Sequence, residues 1–354
     1  MTRILFTGSN WYGSNARSCA DSLRRLGCDV LDIDEDLYFP PLFSFPGKVG
    51  LRLARRHLVR EFNHAVLSAA AHYSHDIFLA FKGTHLTVET LRAIRQSGAS
   101  LYNYYPDTSA FSHGNWLPLA LPEYDCVFYT KPLWYADVTQ RIPLKKGYFL
   151  PHGYDPILHR PFPLDNRDLS EYSCDVGLIA TYMPHKEAIL AGLIKLRPKL
   201  DLRIWGYRWT QNCRTDALRP CIQRFALLGE RFSRAMSAIR INLGIMGGKV
   251  EGASSGDMTT SRTYVIPASG GFMLHERNDE VLGLYKEGIE IECFDSAKEL
   301  AEKIDYYLAH PEERRQIALA GHLRCVPAYS YDRRMADLLR WHNEHRANGA
   351  AQGR

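Results

Sequence analysis

The sequence predicts two doubly wound α/β units, each an open parallel sheet with helices on both faces. Three observations predict it. The chain has 354 residues, enough for about two domains of roughly 100–200 residues. Short apolar runs alternate with helical periodicity through the first 150 residues and again after residue 174. Between the two series lies a breaker-rich stretch, 151–167, with Pro151, Gly153, Pro156, Pro161 and Pro163. This stretch reads as the linker. The expected organisation is a first unit over 1–152, a second over 153–328, a closing helix over 329–346 and a frayed tail over 347–354. The closing helix is expected to pack back toward the first unit.

Each element follows from its local pattern. Ile4 to Thr7 form a short buried strand, Gly8 to Asn15 a glycine-containing loop, and 16–26 a helix ended by Gly27. Strand, helix and strand of this length require parallel pairing with a crossover. The series continues with strands over 30–33, 76–81, 101–104, 126–129 and 148–150 and helices over 51–71 and 86–96. In the second half, strands are expected over 175–179, 202–205, 239–245, 272–274 and 289–294. Helices are expected over 186–196, 230–238, 260–268, 297–308, 311–322 and 331–344. The halves share this order of elements but no short sequence repeat.

Composition narrows the class of protein. A net charge of +5 is mild. It suits phosphate-bearing ligands or peripheral contact with an anionic membrane surface. No long basic block or aromatic–basic stripe argues for nucleic acid. No run approaches the ~18 unbroken apolar residues of a membrane helix, and residues 1–8 lack the apolar core of a signal peptide. A cytoplasmic protein is expected. The eight cysteines form no Cys-x-x-Cys pair and read as free thiols.

In open parallel sheets ligands bind at the carboxyl ends of strands, so the loops there are the candidates. The strongest runs from Gly256 to Phe272. Thr260 and Ser261 can cap a helix whose first amides bind phosphate. Arg262 can clamp a diphosphate through both its nitrogens. Gly270 and Gly271 permit a sharp turn close to a ligand. The structural alternative is a capped helix joined by a tight turn to a strand. Trp205 and Gly206 end a strand and can stack on a base, or simply pack. Gly8, Asn10, Trp11 and Gly13 form a loop that can approach a ligand from the first unit, and Lys82 ends a strand there. A base for a reacting hydroxyl is expected in Asp107, after strand 101–104, or His113; Asp107 also suits an Asx turn after Pro106. Asp32-Ile33-Asp34 lacks the glycine fingerprint that would make it a dinucleotide site. His72/His75 and His342/His345 read as surface pairs on helices, with no third ligand to hold a metal.

The run Arg262-Thr263-Tyr264-Val265-Ile266-Pro267-Ala268-Ser269-Gly270-Gly271-Phe272-Met273-Leu274 resembles the signature of the spore-maturation-type (CgeB-like) glycosyltransferases, roughly Arg-x-Phe-Glu-x-x-Ala-x-Gly. Similar order and spacing continue through Glu290, residues 296–304, Tyr307-Leu308, Arg314, Gly321 and Tyr331-Asp332-Arg333-Arg334. Upstream, Lys82-Gly83, 103–107, Tyr124-Asp125 and 151–156 are similar too. The resemblance implies the two-Rossmann architecture called GT-B, with the units facing across a cleft. It implies a nucleotide-diphosphate-sugar donor held by the second unit, an acceptor on the side of the first, no bound cofactor and no metal. Donor contacts are then expected from Trp205, Gly206, Thr260, Ser261, Arg262, Tyr264, Gly270 and Gly271. One position departs from the pattern. Related retaining enzymes carry Glu-x7-Glu, whose second Glu holds the ribose, and here Asp257 and Val265 stand there. Valine accepts no hydrogen bond, so Glu276 becomes the candidate for the ribose. Fold does not fix the reaction, so a nucleotide-sugar epimerase or hydrolase stays open, and the departure at Val265 keeps open a non-catalytic binding protein.

Overall fold

The computed structural model describes the backbone of residues 1–40 and 45–352, with side chains omitted at 45–49, 51 and 347–352. Its two compact units are Met1–Pro151 with Val250–Ser254 and Arg334–Arg354, and His152–Lys249 with Ser255–Arg333.

Unit 1 is built on six strands: β1 Arg3–Gly8, β2 Asp29–Asp34, β3 Ile77–Phe81, β4 Ser100–Tyr105, β5 Cys126–Tyr129 and β6 Gly147–Phe149. Their order is β2-β1-β3-β4-β5-β6, and every neighbouring pair is parallel. The central strand β3 reads Ile-Phe-Leu-Ala-Phe and is buried throughout, as a strand covered on both faces must be. The edge strand β2 carries Asp29, Asp32 and Asp34 and is partly exposed; charges of this kind blunt an open edge.

Unit 2 has five strands: β7 Val176–Ile179, β8 Leu202–Trp205, β9 Ile241–Gly244, β10 Met273–Glu276 and β11 Glu292–Phe294. All are parallel, in the order β11-β10-β9-β7-β8. The two sheets therefore share one topology. In each, the first strand lies between the second and the third, and the strand order reverses there. Crevices form at such switch points because the following loops diverge to opposite faces.

The expected two-unit α/β architecture is the one observed, and the helices follow their caps. Ser14 accepts from the Arg17 amide to start Asn15–Arg25. Ser296 accepts from Glu299 to start Ala297–Ala309. Asp165 and Asp168 form a reciprocal capping box that starts Asn166–Tyr172. That helix occupies the end of the stretch expected to be linker; the signal was the Asp-x-x-Asp spacing, hidden among prolines. Other short helices, such as Trp116–Ala120, Trp134–Thr139 and Trp209–Asn212, have too few turns to show a period.

The last helix, Tyr331–Gln352, passes from unit 2 into unit 1. His342 is buried and meets the Tyr102 hydroxyl at 2.8 Å, so the expected surface pair His342/His345 is corrected. An imidazole can fill a core site when its nitrogen finds a hydroxyl. Of the expected tail 347–354, the backbone is helical to Gln352, and the last two residues lie outside the described ones. Segment Val250–Ser254, also part of unit 1, is fixed by Asp137: its Oδ2 accepts from the amide and hydroxyl of Ser254 at 2.8 and 3.0 Å. No helix among the described residues is long and apolar enough to cross a membrane.

Gly206 has φ +144°, and a Cβ there would lie 1.9 Å from the Ala180 carbonyl oxygen. Trp209 donates to that same oxygen at 2.8 Å. Gly206→Ala must push the backbone off this oxygen and adopt a conformation that L-residues avoid. It is expected to cost about 3 kcal/mol or more. Urea unfolding followed by tryptophan fluorescence checks this, since Trp205 and Trp209 are fully buried.

Candidate functional site

At the carboxyl edge of unit 2, Arg262 spans the switch point. One terminal nitrogen donates to the Ile245 carbonyl just past β9 at 2.7 Å, the other to the Ile179 carbonyl ending β7 at 3.4 Å. Strand-end carbonyls have no ladder partner, and a guanidinium can satisfy two at once. Arg262 is only 6% exposed. The expected bidentate clamp on a ligand is thus replaced by a clamp on the protein's own strand ends. The charge remains and acts through space.

The helix bearing it, Ser261–Ala268, starts at Thr260. The Thr260 amide donates to Thr263 Oγ1 at 3.1 Å, and Thr263 Oγ1 lies 3.0 Å from His275 Nε2. His275 Nδ1 lies 2.7 Å from the Glu276 carbonyl, which can only accept. Nδ1 therefore carries the proton, Nε2 accepts, and the Thr263 hydroxyl donates to it. Burial pushes His275 down to about 4, so the relay stays neutral and ties the helix start to β10. The amides of Ser261 and Arg262 are those a first turn leaves without an intrahelical partner.

Around this start stand residues from three loops. Glu276 ends β10; its Oε1 lies 2.7 Å from His185 Nε2, and its Oε2 accepts the Met246 amide. Lys186, one residue on from His185, is buried and donates to the Thr181 carbonyl at 3.1 Å. Its ammonium is pushed from 10.5 down to about 7, first by burial and then by Arg262, against the opposing pull of Asp257 and Glu276. The Asp257 amide donates to the Gly247 carbonyl at 3.0 Å. Two cations, a helix start and two carboxylates thus gather at one switch point. A helix start flanked by cations has the chemistry to hold an anionic group such as a phosphate.

Not every expected residue is brought here. Trp205 and Tyr264 are fully buried core residues, because their rings sit on the inner faces of β8 and the helix. Val265 lies in the same core, so nothing at that position reaches a ribose. Gly270, with φ +76°, and Gly271 follow the C-terminal end of Ser261–Ala268. They precede β10, whereas Arg262 and Glu276 lie at its carboxyl end, roughly 12 Å away along an eight-residue helix. The glycines make the turn into β10. Gly206 serves the close approach to Ala180. Thr260, Ser261, Arg262 and Glu276 are brought together; Lys186 and His185 were missed in the sequence. Their only signal was Pro184 at the start of a helix following β7.

Unit 1 has a second site at its own switch point. A pocket of about 430 Å³ is lined by residues that include Ser9, Asp36, Arg55, Lys82, His85 and His113. These follow β1, β2, β3 and β4, apart from Arg55 on the helix Phe45–His72. Lys82 Nζ lies 2.8 Å and His113 Nε2 2.9 Å from Asp107 Oδ2. Burial would raise the Asp107 carboxyl, but the His113 hydrogen bond and the Lys82 charge outweigh it and hold it well below the usual range. Asp107 is therefore an ionised, paired group and a poor proton acceptor. An ionised carboxylate only accepts, so His113 Nε2 carries the proton toward it. The lone pair is left on Nδ1, which makes His113 the better base. Lys82 reaches Asp107 from a left-handed backbone, φ +67°, a strained conformation of the kind that clusters at functional sites.

The first loop is structural in part. A Cβ on Gly8 would meet Ala16 Cβ at 2.8 Å, so glycine lets the helix pack on β1. The Asn10 amide donates to Asp34 Oδ1 at 3.0 Å, and its side chain to Asp32 Oδ2 at 2.9 Å. Gly13 has φ +90°, and Trp11 is half exposed.

Residues 185–340 match the family model described as glycosyl transferase-like. No curated protein matches the chain in sequence. Among solved structures, a sucrose-phosphate synthase from Thermosynechococcus elongatus is similar, with TM-score 0.67 and 13% identity over 98% of this chain and 100% of that one. A Rickettsia africae glycosyltransferase gives 0.65 and 12% over 97% and 98%. The Anabaena protein HepE, crystallised with UDP-glucose, gives 0.64 and 13% over 96% and 99%. These likenesses show the fold, that of the GT-B glycosyltransferases.

The Lys186 value has a consequence for pH. Below about 7 the ammonium is charged; above it the native protein holds it mostly neutral, and a bound anion must recharge it. Affinity for the expected nucleoside diphosphate should therefore fall between pH 7 and 9, approaching about tenfold per pH unit. The phosphate's own ionisation, near pH 6, is complete over this range. Calorimetry in buffers of different ionisation enthalpy should show proton uptake on binding at pH 8. Lys186→Met should flatten the pH dependence.

Proposed function

We propose that the protein transfers a sugar from a nucleotide-diphosphate-sugar to a hydroxyl acceptor. The observation that carries this reading is the cationic switch point of unit 2. There Arg262, Lys186 and the first amides of Ser261–Ala268 meet at the carboxyl edge of a parallel sheet. The glycosyl transferase-like match over residues 185–340 and the UDP-glucose in the similarly folded HepE support it.

In this reading the diphosphate lies against Lys186 and the helix start, and Arg262 adds its field from behind. Glu276 and His185 take hydroxyls of the ribose or the sugar; a carboxylate has spare lone pairs beyond the bonds it already makes. His113, oriented by Asp107, accepts the proton of the attacking hydroxyl at Nδ1. The acceptor oxygen forms a bond to the anomeric carbon as the bond from that carbon to the diphosphate oxygen breaks. The nucleoside diphosphate leaves with the electron pair, and the cations neutralise it. No bound cofactor and no metal enter this scheme. The protein is proposed to act in the cytoplasm.

A thermal-shift screen against nucleotide-diphosphate-sugars tests the donor half. A donor at about 100 times its Kd should add roughly 2.7 kcal/mol of apparent stability, and Lys186→Met should remove most of the shift. With the donor found, His113→Gln is expected to lower kcat by about 10²–10⁴-fold with little change in donor affinity. Asp107→Asn should also lower kcat, because it removes the charge that orients the imidazole. Full turnover in both variants would exclude the dyad. Release of a free epimer or free sugar without any acceptor would turn the reading to an epimerase or hydrolase.

A further inference from the structure

The pocket of unit 1 is lined by the Asp36 carboxylate and by the Arg55 guanidinium. Asp36 lies in the turn after β2. Its Oδ1 accepts from Ser9 Oγ at 3.0 Å, while its Oδ2 is buried without a hydrogen-bond partner. The carboxylate as a whole is only half-buried and lines the pocket, and it keeps lone pairs beyond the bond from Ser9, so it can accept a ligand hydroxyl. The neighbouring acids are already engaged. Asp34 Oδ1 accepts the amides of Asn10 and Asp36, both at 3.0 Å. Glu35 bonds His85 Nδ1, and the His85 ring stacks on Phe39 at 3.6 Å.

Arg55 is the complementary group. It lies over the Trp116 ring at 5.1 Å and touches the His113 carbonyl at 3.5 Å. Among the described residues it pairs with no carboxylate, whereas Lys82 is held by Asp107. A pocket of about 430 Å³ is at the small end of the ligand-site range. Its lining of Ser9, Asp36, His85 and Arg55 suits a ring of hydroxyls and offers little to a lipid tail.

We infer that this pocket binds a sugar carrying a phosphate or phosphodiester, its hydroxyls donating to the Asp36 carboxylate and its anionic group paired with Arg55. That this ligand is the acceptor rests on the transferase reading; the binding itself does not. The anion can come from a free sugar phosphate or from a glycosylated or inositol-bearing lipid headgroup. Both present the same two chemistries.

Calorimetry on the full chain tests it with glucose, mannose and galactose 1-phosphates, the three free sugars, inorganic phosphate, and vesicles of phosphatidylinositol against phosphatidylcholine. At least one sugar phosphate, or the phosphatidylinositol vesicle, should bind at least tenfold more tightly than its free sugar, inorganic phosphate or the plain vesicle. Which of them does so names the source. Arg55→Gln should erase the difference, Arg55→Lys should restore part of it, and Asp36→Asn should weaken free sugar and sugar phosphate alike. Equal binding of sugar and sugar phosphate, inorganic phosphate as tight as the sugar phosphate, an inert Arg55→Gln, or no binding in any arm would each overturn the inference. UDP-sugar binding is measured on the same variants. Its failure while the sugar phosphate still binds would sink the transferase reading and leave this site standing.

Discussion

The guanidinium of Arg262, bonded to the carbonyls of Ile179 and Ile245, is the contact on which the unit 2 site depends. A buried cation is costly unless it is hydrogen-bonded and compensated. Here two strand-end carbonyls and the nearby charges of Asp257 and Glu276 make it tolerable. The same contact fixes where the helix Ser261–Ala268 begins relative to β7 and β9. It also adds to the burial that drives Lys186 down toward neutrality. One side chain thus ties the strand ends to the helix start and biases the lysine beside them.

The relay from Thr260 through Thr263 to His275 completes that frame. Each member is satisfied by the next, and the neutral imidazole adds no charge to an already crowded edge. The glycines nearby serve this packing. A Cβ on Gly244 would come within 2.5 Å of the His275 ring, and one on Gly247 within 2.6 Å of Asp257 Oδ2. They let polar groups approach backbone closely enough to keep the loops in place.

The two units solve one topological problem with different electrostatics. Both sheets reverse order beside their first strand, and both place polar residues where the loops diverge. Unit 2 sets two cations, Lys186 and Arg262, and two carboxylates, Asp257 and Glu276, around a helix start. Unit 1 sets two histidine–carboxylate pairs, His113–Asp107 and His85–Glu35, around a small pocket. Strand order follows from crossover handedness and chain connectivity, which many sequences satisfy. This explains a shared topology without a shared sequence repeat.

Strand and helix positions were legible from the sequence because burial on both faces and capping chemistry leave local marks. Ile77–Phe81 and Ser296 with Glu299 are examples. That Thr260, Arg262 and Asp107 stand next to a strand end or a helix start was legible too. What each one does was not. Arg262 turns inward to carbonyls 17 and 83 residues away, Trp205 and Tyr264 fill the core, and Lys186 acquires its character from burial and from Arg262, 76 positions later in the chain. Those distances explain the division. Periodicity and caps act within a few residues, so the sequence by itself determined the elements and their alternation. Charge, burial and pairing act through space, and only the folded chain decided which side chains meet.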